Sequence, residues 1–151
     1  MCRWRTGKKR GQAAQALGRS RGGFSTKIHL KTEALGNPLT FQLTPGQQHD
    51  ITQAKALLGD DACDYVMADA SYDANDLRNA IAAKGATAVI PSRKNRKVPY
   101  AYDKHLYKER HLIECCFNKL KQYRRIFSRF DKLDARFLGF LSFAATLIWL
   151  R

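Results

Sequence analysis

Two acidic residues, Asp69 and Glu114, lie where a carboxylate can take part in chemistry. Asp69 directly follows the apolar run 65–68, which predicts a buried strand, and functional groups of open α/β sheets commonly lie at strand ends. Glu114 falls at the edge of the apolar face of a helix predicted over 105–127. Each also has an ordinary interpretation, because Asp69 can form a turn and Glu114 can pair with Arg110 at i,i+4.

Clustered carboxylates with nearby cations suit the breaking of phosphodiester bonds. Such chemistry uses two divalent ions, of which one lowers the pKa of the attacking water and the other stabilises the leaving oxygen. Hard oxygen ligands favour Mg²⁺ or Mn²⁺, and Arg or Lys side chains can hold a phosphate. At about 100° per residue, Tyr107, Arg110, Glu114 and Lys121 share one narrow stripe of the predicted helix.

The chain is strongly basic, with 27 Lys and Arg against 13 Asp and Glu in 151 residues and a net charge of +14. Residues 1–23 hold seven basic and no acidic residues, and residues 93–129 hold twelve basic and three acidic ones. A polyanionic partner explains this balance, because each phosphate contact releases condensed counterions. A basic ribosomal, membrane-surface or other soluble protein is the alternative.

The cysteines and the apolar C-terminus argue against secreted and membrane proteins. None of the four cysteines forms a Cys-x-x-Cys pair, so we expect free thiols in a reducing cytoplasm. Residues 1–10 lead into no apolar stretch, so we expect no signal peptide. The run 137–150 is too short for a membrane span and predicts a buried helix.

Hydrophobic patterning predicts a basic arm followed by strands. Residues 1–23 show no apolar period and are expected to form a mobile arm. Alternating apolar residues predict a hairpin of strands at 24–31 and 39–44. Continuous apolar runs predict strands buried on both faces at 65–68 and 87–90.

Helices are predicted between and after the buried strands. Asp50 and Asp73 are expected to cap the helices that follow them. Two longer helices are predicted at about 105–127 and 134–150. The order of a hairpin and then alternating helices and strands indicates an α/β class fold, a mixed sheet with helices on its faces.

The residue spacing on the 105–127 segment resembles a family signature. Tyr107-x2-Arg110-x3-Glu114-x6-Lys121 is similar to the Tyr-Arg-Glu-Lys signature of DDE-type transposases of bacterial insertion sequences, in insertion-sequence families four and five. The block 68–73 resembles that family's motif around its second catalytic aspartate. Blocks 18–27 and 46–50 are similar to two further family motifs, and the resemblance covers about residues 16–151.

This resemblance implies a ribonuclease H-like catalytic domain over residues 24–151. It implies that Asp69 and Glu114 are the second and third acidic ligands of a site that holds two Mg²⁺ or Mn²⁺ ions when complete. The implied reaction is hydrolysis at the ends of the element, followed by attack of the freed 3′-hydroxyl on target DNA. The residues implied to bind DNA are Tyr107, Arg110, Lys121, Arg124 and Arg125.

The resemblance also implies the setting in which the protein works. Its partner would be DNA, both the ends of the element and the target, in the bacterial cytoplasm and associated with the nucleoid. The active enzyme would be a homo-oligomer, and no membrane would be involved.

Two departures from the family pattern affect activity. No Asp or Glu precedes Glu33, so the family's first catalytic aspartate is missing together with its strand, which is central in a ribonuclease H-like sheet. Ser71 stands where the family usually has Gly, and it would be strained if that position needs a positive φ.

We therefore expect this chain to be a partial domain that is inactive unless an upstream transposase segment, fused or separate, is joined to it. The alternatives are a non-catalytic DNA-binding remnant of a transposase and, less favoured, a divalent-metal nuclease outside transposition.

The basic segments generate a first prediction. The chain should bind DNA with weak sequence preference and with an affinity that falls steeply with salt, because phosphate contacts release counterions. Fluorescence anisotropy over a salt series measures this dependence. An affinity that stays flat from low to moderate salt would contradict an electrostatic interface.

Overall fold

The computed structural model describes residues 15–20 and 23–151. Two 3-10 turns, at Ala70–Tyr72 and Lys108–Arg110, accompany the strands and helices of this part of the chain. The strands are β1 (Gly18–Ser20), β2 (Gly23–Thr32), β3 (Pro38–Pro45), β4 (Tyr65–Met67) and β5 (Thr87–Val89). The helices are α1 (Ile51–Leu58), α2 (Asn75–Ala83), α3 (Lys104–Tyr107), α4 (His111–Lys121), α5 (Arg124–Phe127) and α6 (Asp134–Trp149).

The strands form two separate sheets. In the first, β2 pairs antiparallel with β1 on one edge and with β3 on the other. The β2–β3 hairpin confirms the strands that alternation predicted at 24–31 and 39–44. Gly36 closes it with a φ of 86°, and a Cβ there would come within 3.0 Å of the Leu112 side chain.

Strand β1 corrects the prediction of a basic arm over residues 1–23. Gly18–Ser20 pair with β2, and Gln15 and Ala16 are buried. The Arg129 guanidinium donates hydrogen bonds to the carbonyl oxygens of both buried residues. Residues 15–20 are therefore part of the fold, while residues 1–14 and 21–22 of the predicted arm lie outside the described residues.

The second sheet is the parallel pair β4–β5, joined through helix α2. The prediction that both strands are buried on both faces is wrong. Tyr65 is 55% exposed, and only Val89 is fully covered in the two strands. A two-stranded sheet leaves one edge of each strand without a neighbour, so continuous apolar runs are not enough to bury them.

Two hydrophobic cores accompany the two sheets. The first lies where the β2–β3 hairpin packs against helices α4, α5 and α6, with Phe137 and Leu141 at its centre. The second joins α1 and α2 to β4 and β5 around Ile81 and Ile90. The described part of the chain thus has two hydrophobic cores, one against each sheet.

The helix predicted over 105–127 is interrupted. It divides into α3, the 3-10 turn Lys108–Arg110, α4 and α5, with Tyr123 in an extended conformation before α5. The predicted stripe is therefore spread over three elements, because Tyr107 ends α3, Arg110 ends the turn, and Glu114 and Lys121 lie on α4.

Helix α6 confirms the helix predicted at 134–150 but is only partly buried. Five of its residues face the core, whereas Phe143 and Trp149 are exposed. The Trp149 indole donates to the Pro38 carbonyl at 2.7 Å and fixes the end of α6 to β3. No helix in the described part of the chain is long and apolar enough to cross a membrane.

Candidate active site between the two sheets

A cavity of about 720 Å³ separates the first sheet from the second. Residues 27–32 of β2 line one side and residues 64–69, which include β4, line the other. No residue of β5 lines it, so β4 presents the edge that β5 does not use. Helices α1 and α4 contribute further walls. The predicted Asp69 and Glu114 both border this cavity.

Asp69 is held in position by the 3-10 turn that follows it. Its Oδ1 accepts hydrogen bonds from the Ser71 backbone N–H at 2.8 Å and from the Ser71 hydroxyl at 2.5 Å. The sequence raised the question of strain at Ser71, but this residue is not among the described positions with a positive φ. Its hydroxyl instead gives Asp69 a second donor, which a glycine at this position could not supply.

A third carboxylate, that of Asp50, lies next to Asp69. The prediction that Asp50 caps α1 is wrong, because its side chain makes no capping hydrogen bond. Asp50 Oδ1 lies 2.8 Å from Lys27 Nζ, and Oδ2 lies 3.3 Å from the Ser71 hydroxyl. The one Ser71 hydroxyl therefore stands between the carboxylates of Asp50 and Asp69. The only sequence signal that could have placed Asp50 beside Asp69 was that Asp50 lies in the family-like block 46–50.

Buried polar groups support this side of the cavity. His29 is 3% exposed, and its ring nitrogens lie 2.8 Å from the Thr44 hydroxyl and 3.3 Å from the Tyr72 hydroxyl. Burial lowers the pKa of His29 and so favours the neutral ring, although the nearby Asp50 charge acts in the opposite direction. Burial and the charges of Asp50 and Asp69 raise the pKa of Tyr72 to about 12. Tyr72 therefore stays protonated and neutral at physiological pH.

Glu114 forms the ion pair that its ordinary interpretation predicted. Its Oε1 lies 2.5 Å from an Arg110 guanidinium nitrogen, and its side chain is 61% exposed. An exposed i,i+4 pair contributes only a few tenths of a kcal/mol. Glu114 is thus available to a ligand in the cavity at little energetic cost, and Arg110 stands beside it as a cation that could hold a phosphate.

The other residues implied to bind DNA lie outside the cavity lining. Tyr107 packs edge-on against Tyr102 and lies beneath the Arg110 guanidinium. Lys121 is exposed on α4. Arg124 and Arg125 stack on aromatic rings near α6, at 5.7 Å from the Phe130 centroid and 4.5 Å from the Phe140 centroid. Of the predicted residues, Asp69, Glu114 and Arg110 therefore share one cavity, and the remaining cations spread over the adjoining helices.

The donor chemistry of the cavity fits a hard divalent cation, since Asp50, Asp69 and Glu114 all offer oxygen. The number of grouped ligands is smaller than a complete site needs. Within residues 15–20 and 23–151, no three His, Cys, Asp or Glu side chains are close enough together to hold a metal ion. Another ligand would have to come from elsewhere for a two-ion site to form.

The carboxylate of Asp73 is buried next to the site and binds several donors, which the sequence did not predict. The prediction that it caps α2 is wrong, because the residue at the start of α2 is Ala74 and has no side-chain cap. The Asp73 side chain is 1% exposed and accepts hydrogen bonds from Arg78 at 2.9 Å and from Arg96 at 2.6 Å. It also accepts from the backbone N–H of Arg93 at 2.9 Å.

These donors determine the charge state of Asp73. Burial by itself raises the pKa of the carboxyl, but the hydrogen bonds from Arg96, the Arg93 backbone and Arg78 outweigh it and lower the pKa to about 2. The carboxylate is ionised at any physiological pH. It fixes the turn after Asp69 to α2 and to the segment that follows β5.

Comparisons with known proteins give the family of the chain. The family described as "Transposase DDE domain" matches residues 3–131. The chain is 47% identical over 130 residues to the "Putative transposase for insertion sequence element IS6501" of Brucella ovis, which covers 85% of this chain and 100% of that protein. No solved structure matches the chain.

The depressed pKa of Asp73 generates a prediction about stability and pH. A carboxyl whose pKa falls on folding stabilises the fold above its ordinary pKa of 3.8, and this stabilisation is lost as the pH drops toward about 2. Its size is about 2 kcal/mol. Asp73→Asn should therefore lower the free energy of unfolding at pH 7, and the difference from wild type should shrink below pH 4.

Urea unfolding of both proteins between pH 7 and pH 2.5, each joined to the upstream segment expected from the sequence, measures this difference. Asp76→Asn, at an exposed position in the first turn of α2, is the matched control and should change stability little at either pH. A gap between Asp73→Asn and wild type that does not change with pH would contradict the assignment.

Proposed function

Because the chain belongs to the family of transposase DDE domains, we propose that it is the catalytic-domain part of a transposase for DNA-mediated transposition of an insertion sequence. The observation that carries the proposal is that Asp69, Glu114 and Arg110 border one cavity. The proposed reaction is hydrolysis of a phosphodiester bond at the end of the element, followed by 3′-hydroxyl attack on target DNA. It takes place on DNA in the bacterial cytoplasm, in a homo-oligomer.

The side chains of this chain have separable roles in the proposal. Asp69 and Glu114 would hold Mg²⁺ or Mn²⁺, and the bound metal would supply activation of the water and stabilisation of the leaving oxygen. Ser71 fixes the orientation of Asp69 through its two hydrogen bonds. Arg110 holds a phosphate oxygen next to Glu114. The outer cations and one aromatic residue bind DNA away from the reacting bond, and these are Tyr107, Lys121, Arg124 and Arg125.

The space between β2 and β4 supports a ribonuclease H-like arrangement with its central strand absent. Strand β2 is paired with β3 on one edge, and only its first three residues pair with β1 on the other. Strand β4 is paired with β5 alone. Both remaining edges border the same cavity. A strand placed there would join the two sheets and satisfy the N–H and C=O groups of both edges.

The cavity runs alongside residues 27–32 of β2 and residues 64–69, which include β4. We propose that an upstream transposase segment, fused or separate, supplies this strand together with the missing carboxylate. Without that segment the chain would be inactive.

The alternative function is that of a non-catalytic DNA-binding remnant. The observation that favours it is that no three potential metal ligands are grouped in the described part of the chain. The two functions differ in what the upstream segment adds, because a remnant would gain neither folding cooperativity nor cleavage from it.

Glu114 provides a direct test of the catalytic role. In the complete enzyme, Glu114→Gln should abolish strand cleavage and leave DNA affinity nearly unchanged, because it removes a ligand charge at constant shape. The measurement is nicking of DNA that carries the ends of the element, in parallel with a binding assay. Glu109→Gln is the matched control, since Glu109 borders the same cavity and should tolerate the change. If Glu114→Gln cleaves DNA within a few-fold of wild type, Glu114 is not a metal ligand and serves only as a surface ion-pair partner of Arg110.

The unpaired edges generate the second test. The chain alone should be marginally stable or prone to aggregate, because exposed strand edges attract other strands. Adding the upstream segment should produce a cooperative unfolding transition and Mg²⁺-dependent cleavage together. Thermal melts and nicking assays with and without the segment measure both. A chain that melts cooperatively and cleaves DNA alone would disprove the need for the segment.

A further inference from the structure

A basic loop of residues 91–100 follows strand β5, and none of the residues assigned above to DNA binding by number lies on it. It carries Arg93, Lys94, Arg96 and Lys97 and has no acidic residue. A run of like charge in a loop would normally be mobile and widely solvated. Here the loop is held by specific contacts at both ends.

The first set of contacts fixes the shape of the basic loop. Asp73 binds the Arg96 side chain and the Arg93 backbone N–H, as described above. The Tyr100 backbone N–H donates to the Ser92 hydroxyl at 2.8 Å. The guanidinium carbons of Arg78 and Arg96 lie 4.3 Å and 4.9 Å from the centroid of the Tyr100 ring. The loop is therefore organised before any ligand arrives.

The second set of contacts joins the basic loop to the turn that holds Asp69. The Arg93 side chain donates to the Ala70 carbonyl at 3.1 Å and also to the Ser71 carbonyl. These two carbonyls belong to the 3-10 turn Ala70–Tyr72, which Asp69 precedes and caps. A single side chain, that of Arg93, thus connects the loop to the turn beside the candidate active site.

Two cations of the basic loop take no part in these contacts. Lys94 and Lys97 are both exposed, and neither belongs to an ion pair among the described residues. Arg93 and Arg96 serve internal contacts, so the two lysines are the charges that the loop offers to a partner. Their charge adds to the net charge of +14 and favours a polyanion.

We propose that the basic loop is a DNA-backbone-binding surface that presents Lys94 and Lys97 to phosphates next to the turn carrying Asp69. The inference rests on the proposed function and adds to it a DNA-binding surface, which lies between Asp69 and Glu114 in the sequence. Fixing the loop in advance lowers the entropic cost of binding. Its contact with the turn sets the DNA backbone at a defined place relative to the cavity.

The test compares two double variants of the full chain for binding to a duplex oligonucleotide of arbitrary sequence. Lys94→Ala with Lys97→Ala removes two charges from the basic loop. Lys55→Ala with Lys132→Ala removes two charges from exposed lysines on other elements and is the matched control. Each lost phosphate contact lowers the slope of log affinity against log salt by about one. The loop variant should therefore lose about two units of slope, and the control should stay near wild type.

A second pair of variants tests the fixed shape of the loop without changing charge. Tyr100→Ala should weaken DNA binding several-fold at constant salt and leave the salt slope unchanged, whereas Tyr100→Phe, which keeps the ring over the guanidiniums, should resemble wild type. Loop and control variants with equal slopes, or a Tyr100→Ala variant with wild-type affinity, would overturn the inference alone. A wild-type chain that binds no DNA would overturn the proposed function as well.

Discussion

The Asp73 carboxylate is the interaction on which the arrangement around the candidate site depends. Two guanidiniums and a backbone N–H converge on it in a position that water hardly reaches. Arg78 also donates to the Ile90 carbonyl at the end of β5, so one buried charge network joins the Asp69 turn, helix α2 and the basic loop. Removing one partner would leave the others buried and uncompensated, which costs far more than an exposed ion pair contributes.

The cavity between the sheets has a different physical character. It is bounded by strand edges, whose N–H and C=O groups need partners, and by carboxylates, which need cations. In the described structure two of these carboxylates already pair with cations, Asp50 with Lys27 and Glu114 with Arg110, whereas the two sheets share no strand pairing across the cavity. The described residues accordingly pack in two cores, one against each sheet.

The elements that the sequence predicted well are those whose periodicity is local and strong. The β2–β3 hairpin and helix α6 follow from alternation and from a long apolar run. Two of the failures share a cause, because each acidic side chain binds a partner that is distant in the chain. Asp50 and Asp73 looked like helix caps, yet their side chains turn to Lys27 in one case and to Arg78 and Arg96 in the other.

The sequence by itself determined the family, to which the comparisons also assign the chain, and its residue types and spacings predict the acidic ligands and the cations beside them. The tertiary structure alone decided which of these residues meet. Asp69, Asp50 and Arg110 come from elements far apart in sequence, and only packing around α1 and α4 brings them to one cavity. Side-chain direction at a helix or strand end is set by the strongest available partner, and that partner is known only once the chain has folded.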